Sequence, residues 1–230
     1  MRLYNNLINE IKENLSDSNL LPTGKSLDVS NKNSVIFLSD TAFELGGNSK
    51  PCVSSLAVSS DIKFSNSINL LGNDISEIKS DSPFAKFVFI QIEEFENEQD
   101  TFNKIKELES LRYHLNIDGF MTRASALNMR EQVRVSKNVL KSGINFADYG
   151  QTFLNEYLKF DFVKSAEIYF VTDFSDFEKL NSISKKINQT TSALNHIFDN
   201  VMFDCSSCNL KEICDEVDGL KELHLKTIKK

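Results

Sequence analysis

Apolar residues follow a helical rhythm at the start of the chain. Leu3, Leu7, Ile8, Ile11 and Leu15 fall on one stripe and predict an amphipathic helix over residues 2–15. Ser16 to Asn33 is polar, holds Pro22 and Gly24, and reads as a loop. Short apolar runs then predict strands at Val35–Leu38, Cys52–Val58 and Ile68–Leu71. Lys86–Ile92 is apolar nearly throughout, the pattern of a central strand covered on both faces. Gly46–Ser49 and Gly72–Asp74 are turns. Helical periodicity returns at Gln99–Leu115, and further helices are predicted at 125–142, 148–158 and from Ser175 towards Asn200. Ala166–Val171 is a late strand, and a short helix is expected from Asp215 to Leu225. Clustered early strands, a helical block and one late strand predict an α+β fold, a mixed β-sheet flanked by helices. Two units are expected: a domain over 1–200 and a cysteine-rich tail over 201–230 packed on it.

Composition narrows the function classes. A net charge of −7 leaves no basic footprint for nucleic acid, and it disfavours an anionic membrane surface. The polar start Met1–Asn6 has no apolar core of signal-peptide type, and no apolar run is long enough to span a bilayer. A cytoplasmic protein is expected, in which clustered thiols serve as metal ligands or redox groups rather than as disulfides.

Three of the four cysteines lie together: Cys205, Cys208 and Cys214, in Phe-Asp-Cys-Ser-Ser-Cys-Asn-Leu-Lys-Glu-Ile-Cys-Asp. A Cys-x2-Cys pair turns two sulfurs towards one centre, and the third thiol follows at the start of the next helix. Thiolates are soft ligands that suit an iron–sulfur cluster or zinc. A [4Fe–4S] cluster takes four thiolates, so Cys52 is the candidate for the fourth. Asp204, Asp215 or a ligand from outside the chain are the alternatives. Zinc sites of the ribbon type use a second Cys-x2-Cys or two histidines, whereas His114, His196 and His224 are isolated in sequence. His224 reaches the thiols only if the tail folds back over them.

A run of short motifs carries a resemblance. They are Thr41-Ala42-Phe43-Glu44-Leu45-Gly46-Gly47, Leu71-Gly72-Asn73-Asp74-Ile75, Arg134-Val135-Ser136-Lys137 with Gly143, Tyr149-Gly150-x-x-Phe153-Leu154, and Ile168-Tyr169-Phe170-Val171-Thr172-Asp173. Taken in this order, Ser39 to Asp173 resembles the middle domain of acetyl-CoA synthase, the β subunit of the carbon monoxide dehydrogenase/acetyl-CoA synthase complex. The resemblance implies that domain's fold, followed by a metal centre of a [4Fe–4S] cubane bridged to two nickel ions. The cysteine cluster stands at about the corresponding place. Three departures matter: the family spaces its four cubane cysteines much more widely, no Gly-Cys-Gly-Cys nickel motif occurs here, and Gln132 stands where the family has a tryptophan linked to coenzyme A access.

Arg112, Arg123, Arg130 and Arg134 gather in what reads as one helical stretch. Guanidinium forks suit phosphate, so Arg130 and Arg134 are candidates for a coenzyme A or corrinoid phosphate. The alternative is ion pairing with Glu107, Glu109 and Glu131. No phosphate-binding Gly-rich loop and no Gly-x-Ser-x-Gly elbow occurs, and acidic-x-Lys pairs at Asp61–Lys63 and Glu77–Lys79 do not make a nuclease in so acidic a chain. The expectation is an iron–sulfur or other metal-binding accessory protein of anaerobic one-carbon metabolism without a nickel site. Its expected partner is a corrinoid protein or a CO dehydrogenase-type subunit. An enzyme subunit acting with such a partner, or a zinc-stapled scaffold, is the alternative.

Overall fold

The computed structural model describes residues 2–30, 35–95, 97–125, 130–198 and 208–228. In chain order these form α1 (Asn5–Asn14), β1 (Asn19–Leu20), β2 (Val29–Ser30), a 3-10 turn (Leu38–Asp40), β3 (Thr41–Leu45), β4 (Cys52–Ser59), β5 (Ser67–Leu71) and β6 (Phe84–Ile92). There follow α2 (Glu98–His114), β7 (Asn116–Ile117), β8 (Phe120–Ser125), β9 (Arg130–Ser136), α3 (Lys137–Lys141), α4 (Phe146–Tyr157) and β10 (Val163–Val171). The chain continues with α5 (Phe177–Phe198), α6 (Lys211–Glu216) and α7 (Leu220–Ile228).

The main sheet has the order β1-β5-β10-β6-β4. β10 pairs parallel with β5 and antiparallel with β6, and β4 pairs parallel with β6, so the sheet is mixed. β4 and β6 are buried at every position, as a strand covered on both faces requires. Period-2 alternation divides their side chains between two layers. On one face Phe84, Phe146 and Phe170 stack between β6, α4 and β10. Gly150 of α4 meets Ile68 and Phe170 there, where an added Cβ would come within 2.8 Å of Ile68. On the other face Phe64, Phe89 and Tyr169 pack together, and Lys12 of α1 binds Glu167 at 2.5 Å. The outer edge of β4 is covered by α5, whose Ser184 and Asn188 both donate to the Ser54 carbonyl. Covering an edge in this way satisfies its backbone and blocks pairing with another chain.

A smaller antiparallel sheet, β3-β9-β8, packs beside β4 and against α4, with Phe120 stacked on Tyr149 at 4.3 Å. β2 and β7 form a two-residue ribbon. The α+β class and the mixed sheet flanked by helices are as the sequence predicts.

Three predicted elements differ. The helix expected over 125–142 is instead β8, β9 and the five-residue α3, because Glu131, Val133 and Val135 alternate inward and β-branched valines favour a strand. Ser136 then caps α3 by accepting from the Val139 N–H. The strand expected at Val35–Leu38 is absent: Val35, Phe37 and Leu38 are exposed and lead into the 3-10 turn. The tail helix is two helices, broken at Gly219, whose φ of +85° suits glycine. No described helix is long and apolar enough to cross a membrane.

Candidate metal centre

The last turns of α5 and the two tail helices enclose a cavity of about 130 Å³. Leu210 and Ile213 of the α6 region and Leu220 and Leu223 of α7 are buried, spaced three apart as single-sided helices require. Cys214 and His224 each follow one of these anchors, so they sit at the edge of the apolar stripe and are half-buried. Cys208 lies just before α6, its carbonyl accepting from the Lys211 N–H at 3.2 Å. His196 comes from α5, beside Ala193 and Ile197. All four side chains, Cys208, Cys214, His196 and His224, line this one cavity. Asp215 and Lys221, paired at 2.7 Å, also line it. Among the described residues no three His, Cys, Asp or Glu side chains already converge on a point that an ion could fill. Cys205 lies outside the described residues.

His196 and His224, isolated in sequence, are therefore not isolated in space. His196 was invisible to the spacing argument because it lies on a different helix, nine residues ahead of the first thiol. The tail does fold back, and His224 joins the cavity.

Cys52 is placed elsewhere. It opens β4, is buried under Gly46, and does not line the cavity. Burial pushes its thiol up to about 11, against a hydrogen bond to the Glu131 backbone. A thiol so placed stays protonated, and the thiolate is the form that binds metal.

Beside Cys52 lies a buried ion cluster that the sequence did not single out as a site. Lys86 of β6 and Arg112 of α2 both pair with Glu131 of β9, which is fully buried. Ser54 donates to Glu131 at 2.7 Å and accepts from Arg112 at 2.7 Å. Arg112 also holds Glu109 at 3.1 Å, and Lys86 lies 4.2 Å over the Phe153 ring. Burial alone would raise the Glu131 pKa, but Lys86 and Arg112 override it and hold the carboxyl at about 2. The Lys86 pKa is lowered, first by burial and further by Arg112, although Glu131 opposes both. The cluster fastens β4, β6, β9 and α2 together.

The four arginines do not share a helix. Arg112 is in the cluster just described. Arg134 donates to Glu44 at 2.8 Å and to the Ile36 carbonyl at 2.7 Å, and Arg123 reaches the same Glu44 at 3.3 Å. Arg130 is exposed at the start of β9. The ion-pairing reading holds for Arg112 with Glu109 and Glu131, but as a core cluster across elements, not as helix-surface pairs.

Residues 31–177 match the family model of the CO dehydrogenase/acetyl-CoA synthase complex beta subunit. The chain belongs to this family. The match covers more than half of the chain and takes in β3 to β10, hence the buried ion cluster and all the motifs on which the resemblance was drawn. In this beta-subunit relative, the cavity of Cys208, Cys214, His196 and His224 lies beyond the matched segment. No curated protein matches the chain.

Proposed function

We propose that this member of the acetyl-CoA synthase family is a metal-binding accessory protein that works beside a CO dehydrogenase-type subunit. One observation carries the reading: Cys208 and Cys214 face a common cavity at the end of a family domain. Cys205 belongs to the same motif and is proposed as a further ligand. An iron–sulfur cluster or zinc fits thiolate donors. The matched family's printed description names a CO dehydrogenase complex, and this supports a partner of that type; a corrinoid protein is the other partner proposed. Arg130 is the exposed arginine left for a phosphate-bearing cofactor, since Arg134 is held by Glu44.

The test is purification of the full chain without oxygen, with its visible spectrum recorded and iron, sulfide and zinc counted. Stoichiometric metal is expected. A chain that is metal-free after loading with iron and sulfide or with zinc sinks the proposal.

A further inference from the structure

Val35, Phe37 and Leu38 are three of the four most exposed large apolar side chains among the described residues, each at least 66% exposed. Ile36 between them is buried and fixes the segment in place. Its N–H points to Met121 Sδ at 3.4 Å, and its carbonyl accepts from Arg134 at 2.7 Å. Met121 and Arg134 are cross-strand partners on the outer face of the small sheet. The segment 35–38 is thus a strap across that face, and alternation along it turns Val35 and Phe37 outward. The short helix α3 lies alongside. Lys137 Nζ donates to the Ser39 carbonyl at 2.7 Å, and Leu140 and Lys141 are exposed on the same helix. Two lysines therefore border four exposed apolar side chains, and Asp40 is the one acid within 35–41 and 137–143. Among the described residues neither lysine is in an ion pair.

We propose that the strap and α3 dock an acidic segment of a different protein, one that presents an apolar side chain among its carboxylates. Exposed apolar side chains gathered within a polar rim mark interaction surfaces. Phe37 and Leu38 take the apolar anchor, and Lys137 and Lys141 take the carboxylates. Charge complementarity selects this occupant. The chain carries a net charge of −7, so an acidic partner is attracted at this patch and repelled over the rest of the surface, which sets its orientation. The same net charge disfavours a nucleic acid or an anionic bilayer, each of which meets far more of the surface than one segment does. None of these residues lines the tail cavity, so the inference goes beyond the metal-binding reading and does not rest on it.

Binding of the full chain to a glutamate–tyrosine copolymer tests the surface, with polyglutamate and phosphatidylglycerol vesicles as the comparison probes. The copolymer is expected to bind at least ~10-fold more tightly than polyglutamate, and more weakly as salt is raised. Phe37→Ser/Leu38→Ser and Lys137→Glu/Lys141→Glu should each weaken it ~10-fold or more, with thermal unfolding recorded to show that both variants fold. Leu20→Ser, at an exposed leucine on the edge of the main sheet, should leave it unchanged. No copolymer binding by the wild type overturns the inference. So do equal affinity for polyglutamate, preference for the vesicles, or binding that both folded double variants retain. Self-association in sedimentation that Phe37→Ser/Leu38→Ser abolishes also overturns it, because the occupant is then a second copy of this chain. The metal count described above decides the metal-binding reading separately.

Discussion

Glu131 of the small sheet and Lys86 of the main sheet pair in a site where neither side chain reaches solvent. Their contact joins the two sheets, and Arg112 and Ser54 both donate to the other carboxylate oxygen, Glu131 Oε1. Buried pairs of this kind add little net stability against an apolar replacement, but removing one partner strands the other charge.

Glu131→Gln is therefore expected to destabilise the protein by about 3–5 kcal/mol. Urea unfolding at neutral pH checks this. Replacing both partners, as Lys86→Met/Glu131→Leu, is expected to cost less than Glu131→Gln alone. A double variant at least as damaged as the single one would argue against stranded charge as the cause.

The same carboxyl sets an acid limit. Its folded pKa of about 2 lies below the ordinary glutamate value, so the stabilisation is fully present above that ordinary value. It is lost as pH falls from about 4.5 through about 2. Stability measured across this window should decline in the wild type. Lys86→Met removes one of the two cations, so the Glu131 pKa should rise towards its ordinary value, and the decline should be smaller and end at higher pH.

Gly150 tests the packing of α4 on the sheet. Alanine there gains ~1 kcal/mol of helix propensity. Its Cβ would sit 2.8 Å from Ile68 and 2.9 Å from Phe170, both in the core. Overpacking of ~1–3 kcal/mol outweighs the gain. Gly150→Ala should lower the Tm by about 2–4 °C for each net kcal/mol. Calorimetry would show a raised Tm if the sheet yields without strain.

Two arginines of β9, Arg134 and Arg130, should behave differently on substitution. Arg134→Ala breaks charge-assisted bonds to Glu44 and the Ile36 carbonyl, with an expected loss of ~1.5–3 kcal/mol. Arg130→Ala, at an exposed position, should stay within ~0.5 kcal/mol. Denaturant midpoints for the two variants give the comparison directly.

Chelation gives a prediction for the tail. Stripping zinc from the loaded chain should increase amide exchange in α6 and α7 while leaving β6 and β10 protected. Uniform exchange in both states would mean that the tail helices hold without the ion.

Long elements with clean periodicity were legible in the sequence. The 17-residue α2, the 22-residue α5 and the wholly buried β6 all follow from spacing. β9 was not, because Glu131 occupies an inward position where alternation would have wanted an apolar residue. Its reason is tertiary: Lys86 and Arg112 wait on other elements. Val35, Phe37 and Leu38 misled in the opposite sense, being apolar in a run yet left exposed. The cysteine cluster pointed to the tail, but the two imidazoles that share its cavity are brought there by the fold of α5 and α7, which no local spacing encodes.

The place of β10 governs how the protein is made. This strand is the last of the sheet to be synthesised, yet it sits between β5 and β6. Until Val171 has left the ribosome, those two strands each hold an unpaired apolar edge, and the sheet cannot close. A chain cut short before β10 is therefore expected to remain open along both edges rather than to form a smaller folded domain.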